Sequence, residues 1–242
     1  MLKLSPAVAQ DGFDRRFEWG PRGLAALLPS ADVVIVVDVL SFSTSVDVAV
    51  GRGVAVYPAP WKDDAATALA GDLGAMLAVG RSRVSAEHPY SLSPASLSAI
   101  PSGSRLVLPS PNGATMSADA VRGGTAVFTG CIRNASAVAA AARDAGDSVV
   151  VIAAGEQWPD GSLRPALEDL VGAGMILDVL GGRPSPEAKA AILTARNVAY
   201  EDLMSCASSR ELIEQGYDED VRIAMAAGAS TSAPMLVDGA FT

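Results

Sequence analysis

Histidine is almost absent from this chain of 242 residues, in which His88 is the only one. Histidine-ligated zinc sites, Ser-His-Asp triads and phosphohistidine chemistry each need at least one well-placed imidazole. His88 precedes Pro89 in a polar stretch, which is typical of a solvated loop. The composition therefore argues against most hydrolase mechanisms that use an imidazole.

Several phosphate-handling signatures are also missing. The chain has no Gly-Lys dipeptide of a P-loop and no complete GxGxxG. Cys131 is not followed by an arginine six residues later, which argues against a cysteine-phosphatase loop. Phosphatases with two aspartates two residues apart are excluded as well, because Leu40 stands where the partner of Asp38 would be.

Cysteine and long apolar runs are scarce. Cys131 and Cys206 are the only cysteines and lack metal-ligand spacing, so we expect two reduced thiols. The first 19 residues contain no apolar segment of the kind found in export signals, and no later apolar run approaches 18 residues. These features predict a cytoplasmic protein without a membrane anchor.

Positive charge is in deficit, with 18 basic and 27 acidic residues and a net charge of −9. This charge opposes nucleic acids and anionic membranes, so neither is an expected partner. A small anionic substrate would need local arginines, a metal ion or helix N-termini to bind. A homodimer is the generic expectation for the assembly.

Short aliphatic strands alternate with alanine-rich helices along the first two thirds of the chain. The strand cores are nearly continuous runs of Val and Ile, which is typical of strands covered on both faces. This alternation predicts an α/β fold of three layers, α/β/α, with a largely parallel or mixed sheet. Predicted strands lie at residues 33–38, 54–57, 75–79, 105–108, 125–128 and 148–153, and predicted helices at about 44–51, 63–72, 113–121, 134–145 and 166–180.

The C-terminal part, about residues 186–242, is predicted to be mainly helical because it has helical spacing and acidic caps without a strong strand signal. We expect a single domain over residues 1–242, or two closely packed lobes divided near residue 185. The Ser- and Pro-rich stretch 80–104 has no periodicity. Loops of this length inside a domain are usually functional or mobile.

Asp38 ends the most apolar predicted strand, at the edge where doubly wound sheets bind their ligands. A carboxylate there could hold Mg²⁺, and the hydroxyl-rich helix start that follows could hold a phosphate. The alternative is that Asp38 and the hydroxyls only cap the turn and the helix. The hydroxyls are those of Ser41, Ser43, Thr44 and Ser45.

Three further strand ends carry polar side chains. The Asn112-Gly113 turn exposes backbone N–H groups that suit an oxyanion. Arg133 supplies a cation beside Asn134, which is predicted to cap a helix. Glu168 and Asp169 are two adjacent carboxylates at a helix start, more than the helix dipole requires. A turn, a cap and a dipole effect are the structural alternatives. The residues concerned are Asn112 and Gly113, then Arg133 and Asn134, then Arg164, Glu168 and Asp169.

Taken in order, these segments resemble the 2-phosphosulfolactate phosphatase family, magnesium-dependent phosphatases of the coenzyme M pathway. The resemblance runs from about Leu24 to Val237. It rests on the segments VVDVLSFSTS, PSPNGATMSA, CIRNASAVA, AGE and ALEDLVGAGMI, with YEDL and GYDEDV in the helical C-terminal part.

The resemblance implies an α/β fold, Mg²⁺ and hydrolysis of a phosphate monoester that carries a neighbouring sulfonate. We predict that Asp38, Glu168 and Asp169 are the catalytic and metal-binding residues, with Asp38 either a metal ligand or the nucleophile. A carboxylate that does not bind the metal would orient the attacking water. The predicted substrate-binding residues are Ser43, Thr44, Ser45, Asn112, Gly113, Arg133, Asn134, Arg164 and Arg81.

The chain departs from the family pattern at Ser41, where the family has an arginine, and around Arg81, where a glutamate is missing. Two alternatives therefore stay open. One is a cysteine hydrolase of the isochorismatase-like type, with Cys131 as nucleophile and Lys62 as its lysine. The other is a member of the family that binds an anionic metabolite without turning it over.

Overall fold

A computed structural model describes residues 7–60, 63–121 and 124–242, which form an α/β fold. The strands are β1 (Arg15–Trp19), β2 (Val33–Val37), β3 (Ala55–Ala59), β4 (Met76–Leu77), β5 (Arg105–Pro109), β6 (Ala126–Gly130), β7 (Val149–Ala153), β8 (Glu156–Gln157), β9 (Leu163–Arg164), β10 (Leu236–Val237) and β11 (Ala240–Phe241). The helices are α1 (Gly20–Leu27), α2 (Phe42–Val50), α3 (Asp63–Leu73), α4 (Pro94–Leu97), α5 (Gly113–Ala120), α6 (Ala135–Ala145), α7 (Leu167–Leu180), α8 (Pro186–Asn197), α9 (Tyr200–Ser205), α10 (Ala207–Glu214) and α11 (Asp218–Ala224). The α/β class predicted from the alternation of strands and helices is confirmed.

The first sheet has four parallel strands in the order β1-β7-β2-β6. All five residues of β2 are buried, as its unbroken aliphatic run predicts. Val33, Ile35 and Val37 pack in the core shared with α6 and α7, whereas Val34 and Val36 pack in the core shared with α1 and α5. The sheet is therefore covered by helices on both faces, which produces the predicted three layers.

A second, mixed sheet has five strands in the order β10-β11-β3-β5-β4. Its strands β3, β4 and β5 are parallel, and β10 and β11 add an antiparallel hairpin. The strand pattern of the sequence does not separate the strands into two sheets, because every predicted strand has the same apolar character. Strands β8 and β9 pair antiparallel outside these two sheets. Strand β1 and the two-residue strands β8 to β11 were not predicted, because charged residues interrupt the first and the others are too short to show a pattern.

Helices α8 to α11 form the helical C-terminal part before the chain returns to the second sheet. Helix α7 approaches α8 closely, since a Cβ added at Gly174 would lie 2.1 Å from the carbonyl oxygen of Ala191. Gly172 lies against the first sheet, where an added Cβ would be 3.0 Å from Cγ2 of Val39 and 3.2 Å from Cγ1 of Val37. These two close contacts explain the glycines of α7. No helix in the described part of the chain has the length and apolar character needed to cross a membrane.

The stretch 80–104 contains two short helical turns, a 3-10 helix at Arg81–Arg83 and α4. Ser93 caps α4 by accepting a hydrogen bond from the backbone N–H of Ser96 at 3.2 Å. The stretch therefore has local structure that its sequence did not predict, and it packs beside the end of β2 through the contact of Arg81 with Ser41.

Candidate active site

Asp38 lies at the carboxyl end of β2, directly after the buried strand. Its Oδ2 accepts a hydrogen bond from the backbone N–H of Gly113 at 2.8 Å, and its Oδ1 accepts one from the backbone N–H of Phe42 at 3.2 Å. Burial raises the pKa of Asp38, these hydrogen bonds oppose the shift, and the nearby charge of Glu168 adds to it, which together bring the pKa to about 6. The carboxylate is therefore held rigidly between the starts of α2 and α5.

The Asn112-Gly113 turn approaches Asp38 so closely that only glycine fits. A Cβ at position 113 would lie 2.4 Å from Cδ1 of Phe42 and 2.7 Å from Oδ2 of Asp38. The side-chain Nδ2 of Asn112 donates to the carbonyl oxygen of Gly155 at 3.1 Å and lies 3.5 Å from Oε2 of Glu156. This turn therefore links the ends of β5 and β7 beside Asp38.

Asp169 ties two strands of the first sheet together. Its Oδ1 accepts a hydrogen bond from the backbone N–H of Val39 at 2.7 Å, and its Oδ2 accepts one from Gly155 at 2.8 Å. Burial raises its pKa well above the usual range, with further contributions from Glu168 and Asp38. Because each oxygen already serves a backbone N–H group, we assign Asp169 the role of holding the ends of β2 and β7 in register.

Glu168 is buried beside Asp169 in the first turn of α7. Its Oε2 accepts a hydrogen bond from the thiol of Cys206 at 3.3 Å. Cys206 lies between α9 and α10. The C-terminal helices therefore contact the acidic cluster, which consists of Asp38, Glu156, Glu168 and Asp169. Burial and the neighbouring Glu168 raise the pKa of the Cys206 thiol, which favours its protonated, hydrogen-donating form.

Glu156 is a member of the cluster that the sequence reasoning missed. It begins β8, immediately beyond the end of β7, and its pKa is raised to about 8 by burial and by the charges of Asp38 and Glu168. The charge of Arg164 opposes this shift. The strand-end segment AGE contained the signal, because a carboxylate directly after a buried strand needs a partner or a proton.

The hydroxyl groups predicted to bind substrate are directed into the protein. Ser43 Oγ accepts from the backbone N–H of Asp38 at 2.9 Å, and Thr44 Oγ1 donates to the carbonyl oxygen of Val39 at 2.7 Å. The Oγ of Ser45 is buried without a hydrogen-bond partner among the described residues. The contacts of Ser43 and Thr44 stabilise the turn after β2, whereas the N-cap residue of α2, Ser41, makes no side-chain capping hydrogen bond.

Asn134 lies at the start of α6 and is fully buried. Its Oδ1 accepts a hydrogen bond from the backbone N–H of Cys131 at 2.8 Å. Its Nδ2 has no partner in the described part of the chain, which leaves a buried donor beside the end of β6. This donor keeps Asn134 a candidate for ligand binding.

The three arginines predicted to bind the substrate lie in different places, each paired with a carboxylate. Arg133 contacts Asp47 at 2.8 Å and the carbonyl oxygen of Ile223 at 3.0 Å. The hydroxyl of Ser230 also donates to Asp47, at 2.6 Å. These contacts join Arg133 to the C-terminal segment around Ser230 and not to the acidic cluster.

Arg164 and Arg81 lie nearer to the cluster. Arg164 contacts the exposed Glu211 at 2.9 Å, and the charge of Arg164 acts on Glu156. Arg81 contacts Asp220 at 3.1 Å and the hydroxyl of Ser41 at 3.0 Å. The structure thus brings together Asp38, Asn112-Gly113, Glu168 and Asp169 with Glu156, and it separates Arg133 from them.

The fold and this cluster define an α/β protein with a buried acidic site where the strands end. The chain belongs to the 2-phosphosulpholactate phosphatase family, whose model matches residues 25–239. It is 31% identical over 139 residues to a 2-phosphosulfolactate phosphatase of Methanothermobacter thermautotrophicus. That alignment covers 57% of this chain and 58% of the relative, so the chain spans under two thirds of the relative's length.

Proposed function

We propose that this protein is a phosphatase that hydrolyses a small anionic phosphate monoester, 2-phosphosulfolactate or a related metabolite. The observation that carries the proposal is the cluster of the buried Asp38 and Glu168 with the half-buried Glu156 at the strand ends, in a chain of this family. Asp38 and Glu156 have raised pKa values, which are typical of carboxyl groups that move protons or hold a cation.

Hydrolysis of a phosphate monoester is among the slowest uncatalysed reactions, so positioning and charge neutralisation must supply most of the acceleration. Glu156, with a pKa raised to about 8, carries a proton at neutral pH and can donate it to the leaving oxygen. Asp38, with a pKa raised to about 6, is mostly ionised there. It can serve as a metal ligand or as the nucleophile that attacks phosphorus.

The donors of the cluster suit Mg²⁺, which binds oxygen ligands and often uses one or two carboxylates together with waters and substrate phosphates. Within residues 7–60, 63–121 and 124–242, no three His, Cys, Asp or Glu side chains are arranged to hold a metal ion by themselves. The cluster therefore fits a cation that the substrate helps to bind. Asp38 and Glu168 would hold it, and it would neutralise phosphoryl oxygens.

Asp169 was predicted to be a metal ligand, and we now propose a supporting role for it. Both of its oxygens accept short backbone hydrogen bonds, at 2.7 and 2.8 Å, whereas Oδ1 of Asp38 accepts only a longer one at 3.2 Å. Glu168 uses only Oε2 in its contact with Cys206. Glu168 is therefore the better ligand of the two neighbouring carboxylates.

A phosphate-release screen over small phosphomonoesters, with Mg²⁺ or with EDTA, tests the proposal. We expect release that EDTA abolishes, and its loss in Asp38→Asn and Glu168→Gln. Asp178→Asn is the matched control, because Asp178 lies on the same helix as Glu168 but pairs with Arg196 at the surface. Full activity of Asp38→Asn would contradict both roles given to that carboxylate.

The same screen separates the two alternatives. Cys131 is fully buried, and its pKa is raised to about 12 by burial and by Asp47, which disfavours the thiolate that a cysteine hydrolase needs. Lys62 lies outside the described residues. Activity that a thiol alkylator removes and EDTA spares would favour a cysteine hydrolase, and thermal stabilisation by phosphate esters without release would favour a binding protein.

A further inference from the structure

Arg81 is held at the turn after β2 by groups from separate parts of the chain. Its Nη2 lies 3.0 Å from the hydroxyl of Ser41 and 3.1 Å from Oδ2 of Asp220. Its guanidinium carbon lies 4.8 Å from the ring centre of Tyr217, in a cation–π arrangement. A side chain with four rotatable bonds is thereby confined to one position.

Asp220 is built into this arrangement and is not a surface acid. It is buried in α11, where its Oδ1 accepts hydrogen bonds from the hydroxyl of Ser93 at 2.6 Å and the backbone N–H of Ala95 at 3.0 Å. Its Oδ2 receives Arg81. The other two acids of α11, Asp218 and Glu219, are more exposed and pair with Arg222, so Asp220 alone of the three faces inward.

The guanidinium lies next to the acidic cluster. Arg81 binds the hydroxyl of Ser41, and the backbone N–H of the following residue, Phe42, donates to Oδ1 of Asp38 at 3.2 Å. Arg81 and the Asp38 carboxylate therefore contact two adjacent residues, Ser41 and Phe42. The contacts of Arg81 with Asp220 and Ser41 use Nε and Nη2, which leaves the two N–H donors of Nη1 outside these contacts.

We propose that Arg81 recognises a second anionic group of the substrate, a sulfonate or carboxylate, and that Asp220 and Tyr217 are the positioning residues that hold Arg81 for this task. The proposal rests on the proposed function. A guanidinium fork binds planar or tetrahedral oxyanions best when its orientation is fixed beforehand, because less conformational freedom is lost on binding. The helical C-terminal part thereby determines specificity at a site built on the sheets.

Arg133 and Arg164 fit this task less well. Arg133 is committed to Asp47 and to the backbone of Ile223, away from the cluster. Arg164 pairs with Glu211, whose side chain is 61% exposed, so its position is not fixed by that partner. Arg81 is the arginine of the three with both a buried anchor and a contact to the Asp38 turn.

Steady-state kinetics with two substrates test the assignment. We compare 2-phosphosulfolactate with isopropyl phosphate, which lacks a second anionic group. Asp220→Asn is expected to raise KM for the first about tenfold, which corresponds to about 1.4 kcal/mol, and to change KM for the second less than about twofold. Asp218→Asn, on the same helix, should change neither. Equal effects of Asp220→Asn on both substrates would overturn the proposal.

A double-mutant cycle separates positioning from a merely structural role. If Asp220 acts through Arg81, adding Asp220→Asn to Arg81→Ala should change KM for 2-phosphosulfolactate by less than about twofold. Fully additive effects would refute the coupling. Should Asp220→Asn fail to fold, Tyr217→Leu and Arg81→Lys test the same point, since each loosens the cation without removing the buried carboxylate. Unchanged KM in both would also refute it.

Calorimetric binding of sulfoacetate and inorganic phosphate distinguishes failure of this inference from failure of the proposed function. We expect Arg81→Ala to lose sulfoacetate binding, Asp220→Asn to weaken it about tenfold, and both variants to keep phosphate binding. A wild-type protein that releases no phosphate but binds sulfoacetate through Arg81 would contradict the phosphatase proposal and support the anion site. Absence of sulfoacetate binding in the wild type, or its retention in Arg81→Ala, would overturn the inference.

Discussion

Replacing Glu156 by glutamine should stabilise the protein at alkaline pH while it removes activity. The pKa of Glu156 is raised from 4.5 to about 8 by burial and by the charges of Asp38 and Glu168. Between pH 4.5 and about pH 8, Glu156 keeps its proton in the folded protein and has lost it in the unfolded chain. The free energy of unfolding therefore falls as the pH rises through this window, and the loss is complete above about pH 8.

The size of the effect follows from the pKa shift. A shift from 4.5 to about 8 corresponds to roughly 3–5 kcal/mol at pH 9, at about 1.4 kcal/mol per pH unit. Glutamine has no charge to bury, so the variant avoids this loss. At roughly 2–4 °C per kcal/mol for a chain of this length, Tm should rise by about 6–20 °C at pH 9.

Differential scanning calorimetry in EDTA at pH 5, 7 and 9 measures this effect. The difference in Tm between Glu156→Gln and wild type should be small at pH 5 and should grow at pH 7 and 9. Glu214→Gln is the control, because Glu214 is exposed and pairs with Arg210 on its own helix. A difference that does not grow with pH, or a variant less stable than wild type at pH 9, would contradict the role assigned to this carboxyl.

Three further changes test the geometry around the cluster. Asp169→Asn places an amide against two backbone N–H donors and should lower the free energy of unfolding by about 2 kcal/mol in a urea titration. Gly113→Ala drives a methyl group into Phe42 and should cost roughly 1–3 kcal/mol in the same titration and most of the activity. Iodoacetamide should label Cys206 slowly in the folded protein and Cys131 only after unfolding, as read by peptide mass spectrometry.

Each of these three has its own contrary outcome. Wild-type stability of Asp169→Asn would show that the two hydrogen bonds by which Asp169 joins the ends of β2 and β7 are dispensable. Gly71→Ala in α3, where an added Cβ meets nothing within 4 Å, is the matched control for Gly113→Ala and should leave activity unchanged. Full activity of Gly113→Ala would mean that the turn does not need its close approach to Asp38. Rapid labelling of Cys131 under native conditions would contradict its burial.

The strand that precedes Asp38 shows how much local sequence can establish. Five consecutive Val and Ile residues form β2, and both of its faces are covered as an unbroken apolar run requires. A carboxylate directly after such a strand must lie at its buried end. Helices α5, α6 and α7 likewise lie where the sequence predicts them.

The pairing of charged groups could not be read from the sequence in the same way. Arg81, Arg133 and Arg164 look alike as single cations among polar residues, yet their carboxylate partners lie 139, 86 and 47 positions away. Glu156 likewise resembles an ordinary strand end until Asp38 and Glu168 are placed beside it. Such assignments depend on chain folding that local patterns do not encode.

Local patterns were enough to establish the α/β class, the central strand with Asp38 at its end, the Asn112-Gly113 turn and the acidic start of α7. These features depend on periodicity, on turn residues and on burial of neighbouring side chains, which act over a few positions. The folded chain was needed to show that the strands divide into separate sheets, that Asp169 joins β2 to β7, and that Asp220 holds Arg81. Those contacts join segments far apart in the chain, so the packing of the whole molecule selects them.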